Sequence, residues 1–229
     1  EGRLARPRQR GETPQPASVA AITEAVRDAI GSVAGQIDSV GVGLPAVVRQ
    51  GVALTQGNLA GEWRYVDAAE RFSEAVGRTV SVLNDGDAAG LAEMRAGAGV
   101  GVGGVVVLVT LGTGVGTSVF SDGRLVPNTE LGRIRVRGKL AGERVSNRVR
   151  KTKKLSWEEW AADLQEFIVE LDRMLCPELV IIGGGVSGKA HEFLPFIAAR
   201  PTIVPAKLRN DAGIVGAALY GYERQCLVV

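Results

Sequence analysis

The sequence predicts an α/β fold in two lobes with a cleft between them, and three observations carry that prediction. Apolar runs at strand spacing alternate along the chain with helical stripes. Two of those runs, 105–111 and 179–182, empty straight into glycines. A third, 79–83, delivers Asn84 and Asp85 at its carboxyl end, which is where ligands bind in open α/β sheets.

Residues 1–16, rich in Arg, Pro and Gln, read as an extended entry. Beyond Ala17, the residues Val19, Ile22, Val26, Ile30 and Val33 fall three or four apart, the stripe of an amphipathic helix. A strand is predicted at 39–42, leading into Gly43-Leu44-Pro45, with short strands at 47–48 and 52–54 about a turn at Gly51. The helical pattern returns over 67–77 through Ala68, Phe72, Ala75 and Val76. Alternation over 79–83 marks a strand, 88–97 a helix and 97–104 a glycine-rich hairpin or loop. Asp122-Gly123 signals a hairpin between 117–120 and 125–126. Ser156 and Glu159 have capping-box spacing ahead of a long helix with Trp157, Trp160, Leu164, Phe167, Ile168, Leu171 and Leu175 on its apolar face, a pattern that makes the tryptophans core. The run 179–182 suits a buried strand, and 212–220 is a helix of small residues able to pack closely. The predicted division is a small lobe of residues 1–86, with 212–229 packing back on it, and a larger lobe of 87–211.

With 229 residues and 45% hydrophobic content the chain can build a sizeable core. No apolar run reaches the roughly 18 residues of a membrane span, and EGRLARPRQRG is charged where a secretory leader needs an apolar stretch, so a cytoplasmic protein away from membranes is expected. Cys176, Cys226 and a lone His191 supply neither a disulfide framework nor a Cys/His zinc set, so no zinc and no protein-bound metal site are expected. Net charge is +2, but residues 133–154 hold ten Lys or Arg against the single acid Glu143. Such a field can gather a polyanion, or the segment can be a solvated, mobile loop.

Moving a phosphoryl group to an alcohol asks a protein to hold donor phosphates, aim a hydroxyl and accept its proton. The turn Gly112-Thr113-Gly114, with Gly116 and Thr117, exposes backbone N–H groups and small hydroxyls to an anion, and Gly183-Gly184-Gly185 offers a second such turn. Asp85 fits the proton acceptor, since it follows a strand, neighbours the Asn84 amide and precedes a helix whose N-terminal field favours negative charge. The alternative is a plain turn with Asp87 as the helix cap. Asn58, Glu130 and Glu143 supply the amide and carboxylates that pair with sugar hydroxyls.

At these residues the sequence resembles the ROK family of sugar kinases, and within it the actinobacterial polyphosphate glucokinases, which phosphorylate glucose using inorganic polyphosphate or ATP. The matching runs are VGVGLPAVV (40–48), VLNDGDAAGLAEMRAGAG (82–99), LVTLGTGVGTSVFSDGRLVPNTELG (108–132), LSWEEWAADLQ (155–165), LVIIGGGVSGKAHEFLP (179–195) and IVPAKLRNDAGIVGAAL (203–219). The resemblance implies an actin-like ATPase (ribonuclease H-like) fold, Asp85 as general base, and Asn58, Asn84, Glu130 and Glu143 facing a hexose. It further implies phosphate on residues 112–117, nucleotide beside Gly183–Gly185, Mg²⁺ with ATP or polyphosphate, and a homodimer. Three departures accompany it. No DxGGTxxK-type phosphate loop is present, so the small lobe is expected to lack its first two strands and to expose a sheet edge. Arg133 stands where the family's ELGH signature places a sugar-binding His, and a donor-only guanidinium should weaken sugar affinity. Arg135 and Arg137 stand where the relatives have acids, which leaves a catalytically impaired relative that binds a polyanion through 133–154 as the alternative function. A nucleic-acid-binding regulator is disfavoured, because the chain has no room for a helix-turn-helix ahead of residue 17 and its basic run lacks interleaved aromatics.

Overall fold

The computed structural model describes residues 4–227 except 32, 34, 36 and 58. In chain order the elements are α1 (Val19–Gly31), β1 (Val40–Leu44), β2 (Val48–Arg49), β3 (Val52–Ala53), β4 (Val66–Asp67), α2 (Ala68–Val76), β5 (Val80–Asn84) and α3 (Asp85–Ala96). There follow β6 (Val105–Leu111), β7 (Val115–Ser121), β8 (Arg124–Val126), β9 (Arg135–Val136), β10 (Lys139–Leu140), α4 (Gly142–Val145), α5 (Asn147–Lys153) and α6 (Trp157–Leu175). The last are β11 (Leu179–Gly183), α7 (Ala190–Phe193), β12 (Thr202–Pro205) and α8 (Ala212–Cys226). They form two compact units: Glu1–Ala92 with Asp211–Val229, and Glu93–Asn210.

In the first unit β1 and β5 pair in parallel, from Val40 opposite Val80 to Leu44 opposite Asn84, so both strands end together. β2, β3 and β4 make a small antiparallel sheet. The Asp67 carboxylate accepts the Glu70 N–H (2.9 Å) to start α2, and Gly77 ends it in the left-handed conformation. Trp63 is fully buried, tilted against Phe72 with centroids 6.0 Å apart, and its indole N–H donates to the Ala17 carbonyl (2.9 Å). The stripe Val19, Ile22, Val26 and Ile30 packs, half-buried, on the same cluster. α8 lies against β1 and α3 so closely that a Cβ at Gly41 would overlap the Ala217 carbonyl, and one at Gly216 the carbonyl of Ala88. That contact explains the run of small residues in α8.

The second unit is built on a five-stranded sheet of order β12-β11-β6-β7-β8, parallel across its first three strands and antiparallel thereafter. All five residues of β11 are buried, as a parallel strand covered on both faces requires. Both halves of the Ser156–Glu159 capping box form, and α6 then buries Trp160, Leu164, Phe167, Ile168 and Leu171 completely. Burial of each such side chain stabilises by about 1.5–3 kcal/mol. The Trp160 indole donates to the Val145 carbonyl (3.1 Å), and the half-buried Trp157 stacks on Phe193, so both tryptophans are core.

Two expectations are corrected. Only 112–114 form a turn, because Val115, Gly116 and Thr117 already pair in β7 opposite Leu111, Thr110 and Val109. The basic segment is not a mobile loop but folds as β9, β10, α4 and α5. It is anchored by charge: Arg144, its side chain only 12% exposed, pairs with Asp163 and with Glu166 (2.7 Å), and Arg137 also reaches Glu166. A cation this deep persists only when so paired. Among the described residues no helix is long and apolar enough to cross a membrane.

Candidate active site

In the first unit, β5 hands the chain directly to α3, and Asn84 is the cap. Its Oδ1 accepts the N–H groups of Gly86 (2.8 Å) and Asp87 (3.1 Å), while its Nδ2 donates to the Ala46 carbonyl (3.0 Å). The plain-turn alternative with Asp87 as cap is therefore corrected, since two orphan donors of the helix end on Asn84. That leaves the Asn84 side chain at most one amide N–H for a ligand. Asp85 is the first helical residue and exposed, its Oδ1 also accepting the Gly86 N–H (2.9 Å). A Cβ at Gly43 would stand 3.5 Å from the Asp85 Cα and 3.8 Å from its Cβ, so the end of β1 lies directly beside Asp85. Asn58 lies outside the described residues.

In the second unit, three segments converge at one end of the sheet. The β6–β7 turn is closed by the Gly112 N–H donating to the Gly114 carbonyl (3.0 Å), and it is backed by the Arg148 N–H on the Gly112 carbonyl (3.1 Å). Nothing lies within 4 Å of a Cβ built at Gly112 or Gly114, and Thr113 is exposed, so this backbone is open to a ligand. At the end of β11, Gly184 has φ +80° and sits directly on Leu111: a Cβ there would meet the Leu111 carbonyl oxygen at 2.7 Å. Gly185 is exposed with open space beside it. Gly116 is tied to the strand, since a Cβ would meet the Thr110 hydroxyl at 2.6 Å.

Thr117 is turned inward. Its hydroxyl donates to the Thr129 carbonyl and accepts the Leu131 N–H (2.9 Å), so it seats the segment that carries Glu130 rather than offering a proton to an anion. Glu130 and Arg133 are brought together, Oε2 to Nε at 3.2 Å. With side chains 41% and 66% exposed, the pair is worth at most about 1 kcal/mol and can open to a ligand. Gly132 presses on the Val115 carbonyl, and Gly142 stands beside it, a Cβ at Gly142 falling 3.7 Å from the Gly132 carbonyl oxygen. Glu143 makes a local contact, accepting the Leu140 N–H at 3.3 Å. Arg150 lies over the Trp157 ring, 3.7 Å from its centroid, while Arg148, Lys151, Lys153 and Lys154 are exposed on and just after α5. One buried acid had no place in the sequence expectations: Glu93, fully enclosed near the end of α3.

The ROK family profile matches residues 2–135. The chain is 41% identical over 208 residues to a polyphosphate glucokinase of Mycobacterium leprae (strain TN), covering 90% of this chain and 64% of that protein. It is 40% identical over 208 residues to a polyphosphate glucokinase of Mycobacterium tuberculosis (strain CDC 1551 / Oshkosh), covering 90% of this chain and 78% of that one. The chain thus spans just under two thirds of the first relative's length. Its fold superimposes on an inorganic polyphosphate/ATP-glucomannokinase from Arthrobacter sp. strain KM with a TM-score of 0.91 and 41% identity, over 97% of this chain and 90% of that one.

Proposed function

Because the chain belongs to the ROK family of actin-like fold, we propose that it transfers a phosphoryl group from inorganic polyphosphate or ATP to the 6-hydroxyl of glucose or a related hexose. The observation that carries this reading is the exposed Asp85 carboxylate at the start of α3, with the exposed Gly43 beside it. Asp85 accepts the hydroxyl proton as the new O–P bond forms and the donor's terminal bridging P–O bond breaks. The remaining Asn84 amide N–H, Glu130 and Arg133 orient the sugar, with Asn58 and Glu143 as further candidates.

The exposed backbone at Thr113-Gly114 and at Gly185 holds the donor phosphates. Mg²⁺ would enter with the donor and neutralise phosphate charge there; among the described residues no group of three or more His, Cys, Asp or Glu could hold a metal ion. The exposed cations of α5, whose Arg148 N–H braces Gly112, favour a long polyanionic donor. A cytoplasmic homodimer completes the reading.

A coupled assay with glucose, Mg²⁺ and either ATP or polyphosphate tests it. Asp85→Asn is expected to lower turnover roughly 10²–10⁴-fold, the weight of a positioned base, with circular dichroism and Tm unchanged. Equal turnover in the variant and the wild type would remove Asp85 from the mechanism.

A further inference from the structure

Glu93 is wholly buried, and a carboxylate in that position must be met by donors. Three backbone N–H groups meet it: Ala98 (2.8 Å) and Lys207 (3.1 Å) on Oε2, and Leu208 (2.7 Å) on Oε1. Only a carboxylate presents acceptors on both arms, so glutamine could satisfy one side but would turn its NH₂ against an N–H on the other. Gly97 is kept bare for the same reason, since a Cβ there would overlap Oε2.

The segment that Glu93 grips lies beside the second glycine turn. Ala206 follows β12 and donates its N–H to the Ile182 carbonyl (2.9 Å), and a Cβ at Gly183 would stand 3.8 Å from the Ala206 Cβ. Residues 206–208 therefore run along the carboxyl end of β11, next to Gly183–Gly185, and carry the exposed Lys207. The β11–β12 pairing and the Ala206 bond fix the stretch up to residue 206, and beyond that point two N–H bonds to one buried acid hold Lys207 and Leu208.

We infer that Glu93 is a positioning residue for the phosphoryl donor: by fixing Lys207 and Leu208 it sets the loop against Gly183–Gly185, and it governs donor affinity rather than sugar affinity. The inference rests on the proposed donor seat. Its test is steady-state kinetics with donor and glucose varied separately, alongside hydrogen exchange, on the wild type, Glu93→Gln and Glu93→Asp.

Glu93→Gln is expected to raise the donor KM about tenfold, the weight of one or two hydrogen bonds, and to leave the glucose KM within about twofold. Amides at 206–208 should exchange faster while α6 keeps its protection. Glu93→Asp, charged but one methylene short, should show the same pattern. Equal rises in both KM values, or a fall in Tm with neither KM moved, would overturn the inference and leave Glu93 as a plain structural staple. If the wild type phosphorylates no hexose, the proposed activity fails, and direct titration with ATP and with inorganic polyphosphate decides this point separately: weaker donor binding in Glu93→Gln sustains it, and equal or no binding in both proteins overturns it. Should Glu93→Gln not fold, Gly97→Ala displaces the same carboxylate with its charge retained and is held to the same outcomes.

Discussion

The two glycine turns of the second unit look alike on paper and differ in what their glycines do. Both follow buried strands, β6 and β11, and both end in small residues. At the β6–β7 turn, Gly112 and Gly114 face open space and carry no positive φ, so alanine would fit either position. At the β11 turn, Gly184 combines φ +80° with direct contact on the Leu111 backbone, so nothing but glycine fits. One turn is bare above, where a ligand would sit. The other is bare below at Gly184, where the protein packs on itself, and open only at the neighbouring Gly185. A glycine-rich strand end is thus a binding signal only when the space a side chain would fill is empty.

The contrast can be broken by substitution, and the largest effect is expected at Gly184. Gly184→Ala should cost about 2–4 kcal/mol, combining left-handed strain with a backbone clash. Urea unfolding followed by circular dichroism would show it, and an unchanged midpoint would mean the turn relaxes freely. Thr117→Val comes next. It removes the hydroxyl that holds Thr129 and Leu131 and should cost about 1–3 kcal/mol through an orphaned carbonyl and N–H, with the glucose KM rising because Glu130 loses its seat. Normal glucose binding in a destabilised Thr117→Val would uncouple the 129–131 segment from the sugar. The smallest stability effect belongs to Gly112→Ala and Gly114→Ala, each within about 0.5 kcal/mol of wild type because no strain or clash is introduced. Their effect should instead fall on the donor KM, read in the same assay. Loss of stability there would make the two turns equivalent after all.

Much of this arrangement was legible in the sequence because the signals were local. The Ser156–Glu159 box, the Asp122-Gly123 hairpin and the apolar face of α6 each follow from residues a few positions apart, and each formed. Legibility failed where one residue serves two purposes. Asn84 reads as a sugar-binding amide, yet a strand that runs straight into a helix needs a cap, and Asn84 is the cap. Gly116 and Thr117 read as part of the anion turn because they are small, although the pairing with β6 runs through them. Glu93 was invisible for a different reason. Its partners, Lys207 and Leu208, lie more than a hundred residues away, and a glutamate near the end of a helix ordinarily faces water.

The return of α8 to the first unit has a consequence for biosynthesis. During synthesis every residue from Glu93 to Asn210 is made before α8, so all strands of the five-stranded sheet and α6 precede it. The face of β1 and β5 that α8 covers is therefore completed only when Ala217 and Gly221 arrive to lie against the start of β1, at the end of synthesis.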